Sequence, residues 1–394
     1  MNAPKVNKRI LALDILRGFT IAGMILVNNP GSWGHIYAPL RHAEWNGLTP
    51  TDLVFPFFMF IMGISTYISL KKYNFEFSQA AALKIVKRTI VIFLIGCAIG
   101  WFSRFCRYWV SAPEDLSFFE NLWASVWTFD RMRILGVMQR LALCYGAASI
   151  VALTVKHKRI PYIIATILIG YFVILMCGNG YEYNETNILS IVDRTILTPV
   201  HMYKDNGIDP EGLLSTLPSI AHVLLGFYVG KLMLEGNKSQ DRMSFLNSQI
   251  VTLFLVGTIL TFAGFLLSYG CPINKKIWSP TFVLTTCGLA SSFLALLIWI
   301  IDVKGKKKWS LFFEAFGVNP LFMYVLGGVL GILFGCIRFS WEDGMISIHT
   351  FLYKIVLMPV FGQTGGSLAY ALLFVTINWC IGYQLYKRKI YIKI

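Results

Sequence analysis

What most limits the fold of this chain is a succession of apolar stretches, each about as long as a bilayer's hydrocarbon core is thick. An α-helix rises roughly 1.5 Å per residue, so about 20 apolar residues cross about 30 Å. Stretches of that kind fall at 10–28, 53–70, 89–107, 134–155, 160–177, 217–234, 248–269, 280–301, 310–336 and 366–386. Backbone groups in lipid have no water to bond, so runs of this length satisfy themselves as helices. The pattern predicts an all-α polytopic transmembrane bundle of about ten spans, one domain over residues 1–394. Composition agrees: mean hydropathy is +0.61 and only 14% of residues are charged, against about a quarter in soluble domains. The load of 30 Phe, 18 Tyr and 11 Trp suits a protein whose rings line two lipid–water interfaces, with membrane lipid as its surroundings.

The net charge of +15 would suggest nucleic acid in a soluble protein. In a membrane protein its distribution matters more, and no nucleic-acid partner is expected here. Alternate loops are basic: Lys5, Lys8 and Arg9; Lys71 and Lys72; Lys84, Lys87 and Arg88; Lys156–Arg159; Lys231, Lys238 and Arg242; Lys304–Lys308; and Lys387–Lys389 with Lys393. The intervening loops mix both signs. The positive-inside rule makes the basic set cytoplasmic, and an even number of spans then puts both termini in the cytoplasm. The first apolar run holds Asp14 and Arg17 and lacks a small-residue cleavage site, so it reads as an uncleaved helix rather than a signal peptide. Residues 345–361 are apolar but interrupted by His349, Lys354 and Pro359. A further span there would carry the terminal basic cluster outside, so an interfacial or re-entrant helix is expected.

Charged groups inside spans are expensive and call for partners or a function. Asp14 and Arg17 share one helix face at a spacing of three, either as a self-neutralising pair or as a charged site where Arg17 meets a phosphate. Gln139 and Arg140 lie in the fourth span with no acid beside them. Arg140 needs a carboxylate from elsewhere, such as Glu314, or an anionic ligand. On the other side, Asn28 closes the first span, and His42–Asp52 runs into Leu53-Val54-Phe55-Pro56. Thr49-Pro50-Thr51-Asp52 reads as a capping box with proline at the first helical position, which makes Asp52 a helix cap. Trp45 suits an interface. His42 has no such structural reason, and on its residues alone it is either a solvated loop histidine or a base.

The remaining histidines say less. His35 shares the loop with His42, His157 belongs to the basic loop, and His222 in the sixth span is expected to bond helix to helix. His201 and His349 lie on outer segments without informative neighbours. No metal is expected, because no HxxxH, HExxH or Cys/His spacing occurs. Eight cysteines show no CxxC spacing. Most read as small apolar groups within spans, while Cys106, Cys177 and Cys271, near the outer face, are candidates for a disulfide.

These residues carry a resemblance. The opening Arg9–Gly18 resembles that of transmembrane acyltransferases, and HAEWNGLTPTDLVFPFFMFIMG (His42–Gly63) is similar to a block of the heparan-α-glucosaminide N-acetyltransferase family. Val137–Leu141, Asp209–Pro218, Lys276–Phe282 and Gly317–Leu321 match in order along nearly the whole chain. The chain lacks the long N-terminal luminal part of the animal enzymes and resembles a bacterial branch whose members have also been labelled amino-sugar transporters.

The resemblance implies an acetyl-CoA-dependent acetyltransferase of the bacterial inner membrane. It implies transfer from cytoplasmic acetyl-CoA to the amine of a glucosamine-type sugar on the outer side. It also implies a catalytic histidine at His42, a functional asparagine at Asn28, and a homodimer. The stretch between Asn28 and His42 is longer than in the lysosomal members, so Asn29 and His35 stay open as alternatives. Gln139 and Arg140 are implied as part of the donor's pocket. The phosphates of acetyl-CoA call for cations on the cytoplasmic side or along the path inward, for which Arg17 with Asp14, Arg140 and Lys387 are the candidates. An amino-sugar permease and an acyltransferase for a cell-envelope glycan are the alternative readings. No duplicated halves, common in transporters, are visible. The outer segment 178–217 is expected to shape acceptor choice.

Overall fold

A computed structural model describes residues 10–113, 115–203, 205–235, 241–342 and 344–392. Lys5, Lys8, Arg9, Lys238 and Lys393, counted above among the cytoplasmic charges, lie outside the described residues. The first half of the chain builds α1 (Leu11–Asn28), α2 (Val54–Leu70), α3 (Gln79–Ser111), α4 (Phe118–Val126), α5 (Val137–Thr154), α6 (Ile160–Cys177) and α7 (Ile188–Leu197). The second builds α8 (Thr216–Glu235), α9 (Arg242–Leu267), α10 (Pro280–Ile298), α11 (Leu311–Val318) and α12 (Pro320–Cys336). A two-stranded hairpin follows, β1 (Arg338–Trp341) antiparallel to β2 (Gly344–Ser347). Then come α13 (Ile348–Thr350), a wide turn over Phe351–Leu357, and α14 (Met358–Lys387).

Eight helices among the described residues are long and apolar enough to cross a membrane, nine if α11 and α12 count as one span bent by 79°. The remaining predicted stretch, 89–107, lies within α3. The bend falls at Asn319-Pro320, where proline removes an amide from the helix ladder. Asn319 occupies the break by donating to the Ile390 carbonyl at 2.8 Å and accepting from the Ile392 amide at 2.8 Å.

Helix ends follow local chemistry. Ser78, Asp241 and Ser279 each accept an amide of the first turn they precede, opening α3, α9 and α10. Residues 348–361 are helical but separate from the rest of α14. Gly362, at φ 72° and ψ 178°, breaks the chain, and Tyr353 donates across the break to Gln363 O at 3.2 Å. The stretch 348–361 is thus a short helix set apart by the Gly362 kink from the apolar run that follows it.

Close packing uses small residues, as membrane helices do. A Cβ on Gly63 would lie 2.2 Å from the Val223 carbonyl oxygen, and one on Gly226 would lie 2.3 Å from that of Phe60. The α2–α8 contact is therefore backbone against backbone. α9 is the outermost span by burial, with only 17% of its apolar window covered against 67% for α8. Phe254, Phe262 and Leu266 stand exposed on it, the face lipid would cover.

The loops sort into two poles. At one, Tyr67 near the end of α2 bonds Glu235 at the end of α8 at 2.5 Å, and the ring of His157 packs on Phe75 and Phe227. His157 is thus held half-buried rather than being a plain surface group. The loops predicted to be cytoplasmic gather here. The opposite pole carries the loops of mixed charge.

Candidate active site

At that second pole the loop between α1 and α2 lies against the α9–α10 loop. Thr49 caps a single turn, Pro50–Leu53, that leads into α2. The expected capping box is present, with Oδ2 of Asp52 accepting from Thr49 N at 3.1 Å and Thr49 Oγ1 at 2.9 Å. Asp52 does more than cap. Its Oδ2 also accepts the Ala43 amide at 3.0 Å, and its Oδ1 lies 2.6 Å from Nδ1 of His42. The carboxylate is almost wholly buried while the imidazole is 42% exposed. An ionised carboxylate only accepts, so this contact places a proton on Nδ1 and leaves Nε2 as the unshared lone pair.

A third group completes the cluster. Lys275, 233 positions away in sequence, brings Nζ to 3.0 Å from His42 Nδ1 and 3.3 Å from Asp52 Oδ1. The backbone carries it there by three links. Gly47 N bonds the Ile273 carbonyl at 2.8 Å, Asn274 Nδ2 donates to Asn46 at 3.1 Å, and Asn274 N bonds Ser279 Oγ at 3.0 Å. The turn closes at Trp278, fully buried and in the left-handed region at φ 53°, a conformation a tryptophan adopts only where its surroundings hold it. Burial pushes the Lys275 ammonium below its ordinary range, and the charges of Asp52 and Glu211 only partly oppose this.

The next residue faces the outer segment. Lys276 pairs with Asp205 at 2.8 Å and donates to Tyr183 Oη at 2.6 Å. Tyr183 stacks on Trp45 at 4.5 Å, whose Nε1 donates to the Tyr181 carbonyl at 2.8 Å. Burial works against the Lys276 charge, but Asp205 and Tyr183 outweigh it and raise its pKa. Trp45 therefore serves a loop-to-loop contact rather than only an interface.

Deeper lies a cluster the sequence reading missed. Arg133 pairs with both Asp209 and Glu211. Burial alone would neutralise Glu211, yet Arg133 and Arg140 hold its carboxyl below the usual range. Asp193, under Gly212, is pushed up to about 6, first by burial and then by the charge of Asp209. Its Oδ1 accepts the Leu213 amide at 2.8 Å. The two acids of Asp209-Pro-Glu211 were visible in sequence, and such a pair beside a membrane helix calls for a cation.

The predicted donor-binding residues do not converge. Arg140 is only 1% exposed. It donates to the Gly212 carbonyl at 3.1 Å and to Ser215, with its guanidinium 5.2 Å from the Trp278 ring. It thus lies at the pole of His42. Glu314, its suggested partner, instead accepts from Ser310 at 2.7 Å and Tyr386 at 3.0 Å. Gln139 turns towards α3, with Nε2 3.7 Å from Cys97 Sγ. Arg17 donates to Asp14 at 3.1 Å and Ser65 at 2.8 Å, the self-neutralising arrangement, near the other pole. Lys387 is exposed at the end of α14.

Asn28 ends α1 and lines a cavity of about 600 Å³ with Ser103, Arg107, Tyr324, His349 and Tyr370. His42 is not among its walls, and no hydrogen bond joins Asn28 to His42 among the described residues. Asn29 lines the same cavity and folds back on the Ile25 carbonyl at 2.8 Å. His35 makes a backbone contact, its amide to the Ser32 carbonyl at 3.3 Å. His349 gains a setting its sequence did not suggest, 3.3 Å from the Pro30 carbonyl and edge-on to Tyr370 at 4.7 Å. His222 bonds the Pro56 carbonyl at 2.9 Å, the expected helix-to-helix link. All eight cysteines are free thiols, Cys106, Cys177 and Cys271 included. No group of three metal-ligating side chains occurs among the described residues.

Fold and site together define a multi-pass helical membrane protein with an aspartate-backed histidine at one pole. Residues 9–264 match the family described as heparan-alpha-glucosaminide N-acetyltransferase, catalytic, and the chain belongs to that family. It is 27% identical over 374 residues to the heparan-alpha-glucosaminide N-acetyltransferase of Homo sapiens, an alignment covering 80% of this chain and 52% of that one. The Mus musculus protein of the same name is 26% identical over 450 residues, covering 98% and 60%. The chain thus spans just over half the length of these relatives. His42, Asp52, Arg133 and Arg140 fall inside the family match, whereas Lys275 lies beyond it.

Proposed function

We propose that this protein is a membrane acetyltransferase, one catalytic domain that moves an acetyl group from acetyl-CoA to the amine of a glucosamine-type sugar. The observation that carries the reading is the His42–Asp52 pair, which leaves Nε2 of a half-exposed imidazole bare. An ammonium cannot attack a thioester, so the acceptor must first lose a proton, and a neutral imidazole takes it at Nε2. The amine nitrogen then bonds the acetyl carbon, the carbon–sulfur bond breaks, and the thiolate leaves with a proton returned from the ring. In the two-step variant Nε2 itself takes the acetyl group and passes it to the amine. Either way imidazolium character develops beside Asp52, whose charge stabilises it.

The family resemblance gives Asn28 the role of a neutral donor for the oxyanion, and it stands at the edge of a cavity, not lined by His42, whose size falls within the ordinary range for ligands of about 300–1,000 Å³. The segregation of basic loops to the opposite pole supports cytoplasmic termini, chemistry on the outer face, and residence in a bacterial inner membrane. The segment carrying Tyr183 and Asp205 stands beside His42 and supports an acceptor-side role. The broken α11–α12 pair, a feature of transporters, favours the permease reading.

The test is CoA release by purified protein in detergent from acetyl-CoA over a panel of glucosamine acceptors, with His42→Ala as control. Loss of transfer with retained acetyl-CoA binding is expected. No release from any acceptor, together with uptake of labelled glucosamine into vesicles lacking an acyl donor, would replace the reading with transport.

A further inference from the structure

We propose that Lys275 is a positioning residue of this site, restraining the uptake of a second proton by His42 while Asp52 holds the first on Nδ1. The inference rests on the acetyltransferase reading for its purpose, but its physical content does not need acetyl transfer. Three atoms meet within about hydrogen-bond distance: Nζ of Lys275, Nδ1 of His42 and Oδ1 of Asp52. An ammonium and an imidazole N–H are both donors, and Oδ1 is the only pure acceptor of the three. Were Nδ1 bare, its lone pair would face that of Oδ1 at 2.6 Å, which is repulsive. The consistent arrangement has Nδ1–H and Lys275 both donating to Oδ1, with Nε2 bare.

The geometry also balances charge. Asp52 alone would favour an imidazolium, which is no base. A cation 3.0 Å from Nδ1 disfavours that second proton, because a like charge at this range opposes protonation. The charged groups around the ring come from three elements. Asp52 opens α2, Lys275 stands on the α9–α10 loop with Glu211 acting on it, and Arg41 and Glu44 are exposed on the ring's own loop. Lys276 is engaged by Asp205 and Tyr183 and does not substitute. The three hydrogen bonds around Asn274 hold Lys275 in place without help from a substrate.

The experiment follows the reactivity of His42 towards diethyl pyrocarbonate, which labels only unprotonated imidazole, by the mass of the His42 peptide across pH 5–9. Lys275→Gln is expected to move the half-labelling pH upward by about one unit or more, and Lys275→Arg to stay close to wild type. A Lys275→Gln curve that superimposes on wild type, in protein that remains monodisperse and helical, overturns the proposal. Should Lys275→Gln not fold, Lys275→Met in the same assay decides. A curve displaced upward from wild type supports the proposal, and one that superimposes on wild type overturns it. Neither measurement uses acetyl-CoA. Protein that behaves as expected here yet releases no CoA from any acceptor would refute the acetyltransferase reading alone.

Discussion

Replacing Asp52 by asparagine removes one charge and leaves the shape, and the structure says what must follow. The carboxylate accepts from four donors, Thr49 N, Thr49 Oγ1, Ala43 N and His42 Nδ1, and pairs with Lys275. An amide has one oxygen for them. Three of the donors converge on Oδ2, so the amide oxygen settles there and its NH₂ faces His42 and Lys275. The NH₂ and the ammonium then both donate towards Nδ1, which must give up its proton, and Nε2 takes it. The substitution therefore inverts the tautomer and removes the base. A wrong tautomer behind an otherwise intact histidine costs about 10³–10⁴ in rate. Stability falls by about 1–3 kcal/mol, the usual cost of one lost charge-assisted bond, because the three-donor side survives. Initial rates of CoA release and a thermal-shift curve on the same preparation measure both. Folded Asp52→Asn that transfers acetyl at the wild-type rate would refute the argument from tautomer to base.

Four further outcomes are expected. Gly226→Val drives side-chain carbons into the Phe60 carbonyl and costs about 1–3 kcal/mol, read as a lower melting temperature in detergent. Asp193 has its folded pKa raised to about 6 by burial, so its contribution is intact below about pH 4 and is lost as pH rises through 6. Asp193→Asn accordingly gains up to roughly 3 kcal/mol above pH 7 and nothing at pH 4, checked by melting curves at both values. Lys276→Met frees Asp205 and Tyr183 and raises KM for the sugar several-fold while leaving KM for acetyl-CoA unchanged, a split steady-state kinetics resolves. Glu314→Gln leaves acetyl transfer intact, since Glu314 holds Ser310 and Tyr386 rather than Arg140.

Much of the fold was legible because the bilayer imposes one length and one periodicity. The apolar stretches became helices, and the alternation of basic and mixed loops became two poles. The capping box at Thr49–Asp52 was legible for a similar reason, since its partners lie three residues apart. What distance in sequence hides is the rest of the site. Lys275 reaches His42 only because Asn274 and Ile273 bond the Asn46–Gly47 turn, and no local pattern announces that pairing. The setting of Arg140 is hidden for the same reason. Its position early in α5 places it under the Gly212–Ser215 turn, and charge alone does not say which end of a span it serves. The break at Gly362 escaped notice because glycine is common in membrane helices, and only a φ of 72° distinguishes a hinge from a packing site.

The clasp at Asn319 ties the two ends of the second half together, with practical weight. The bent helix pair is locked at its corner by main-chain atoms of Ile390 and Ile392, and α12 beyond that corner walls the cavity beside Asn28. The stretch from Ile390 to Ile392 thus behaves as a latch on a wall far from it. A truncation before Ile390 would loosen that wall and alter ligand affinity without touching any site residue.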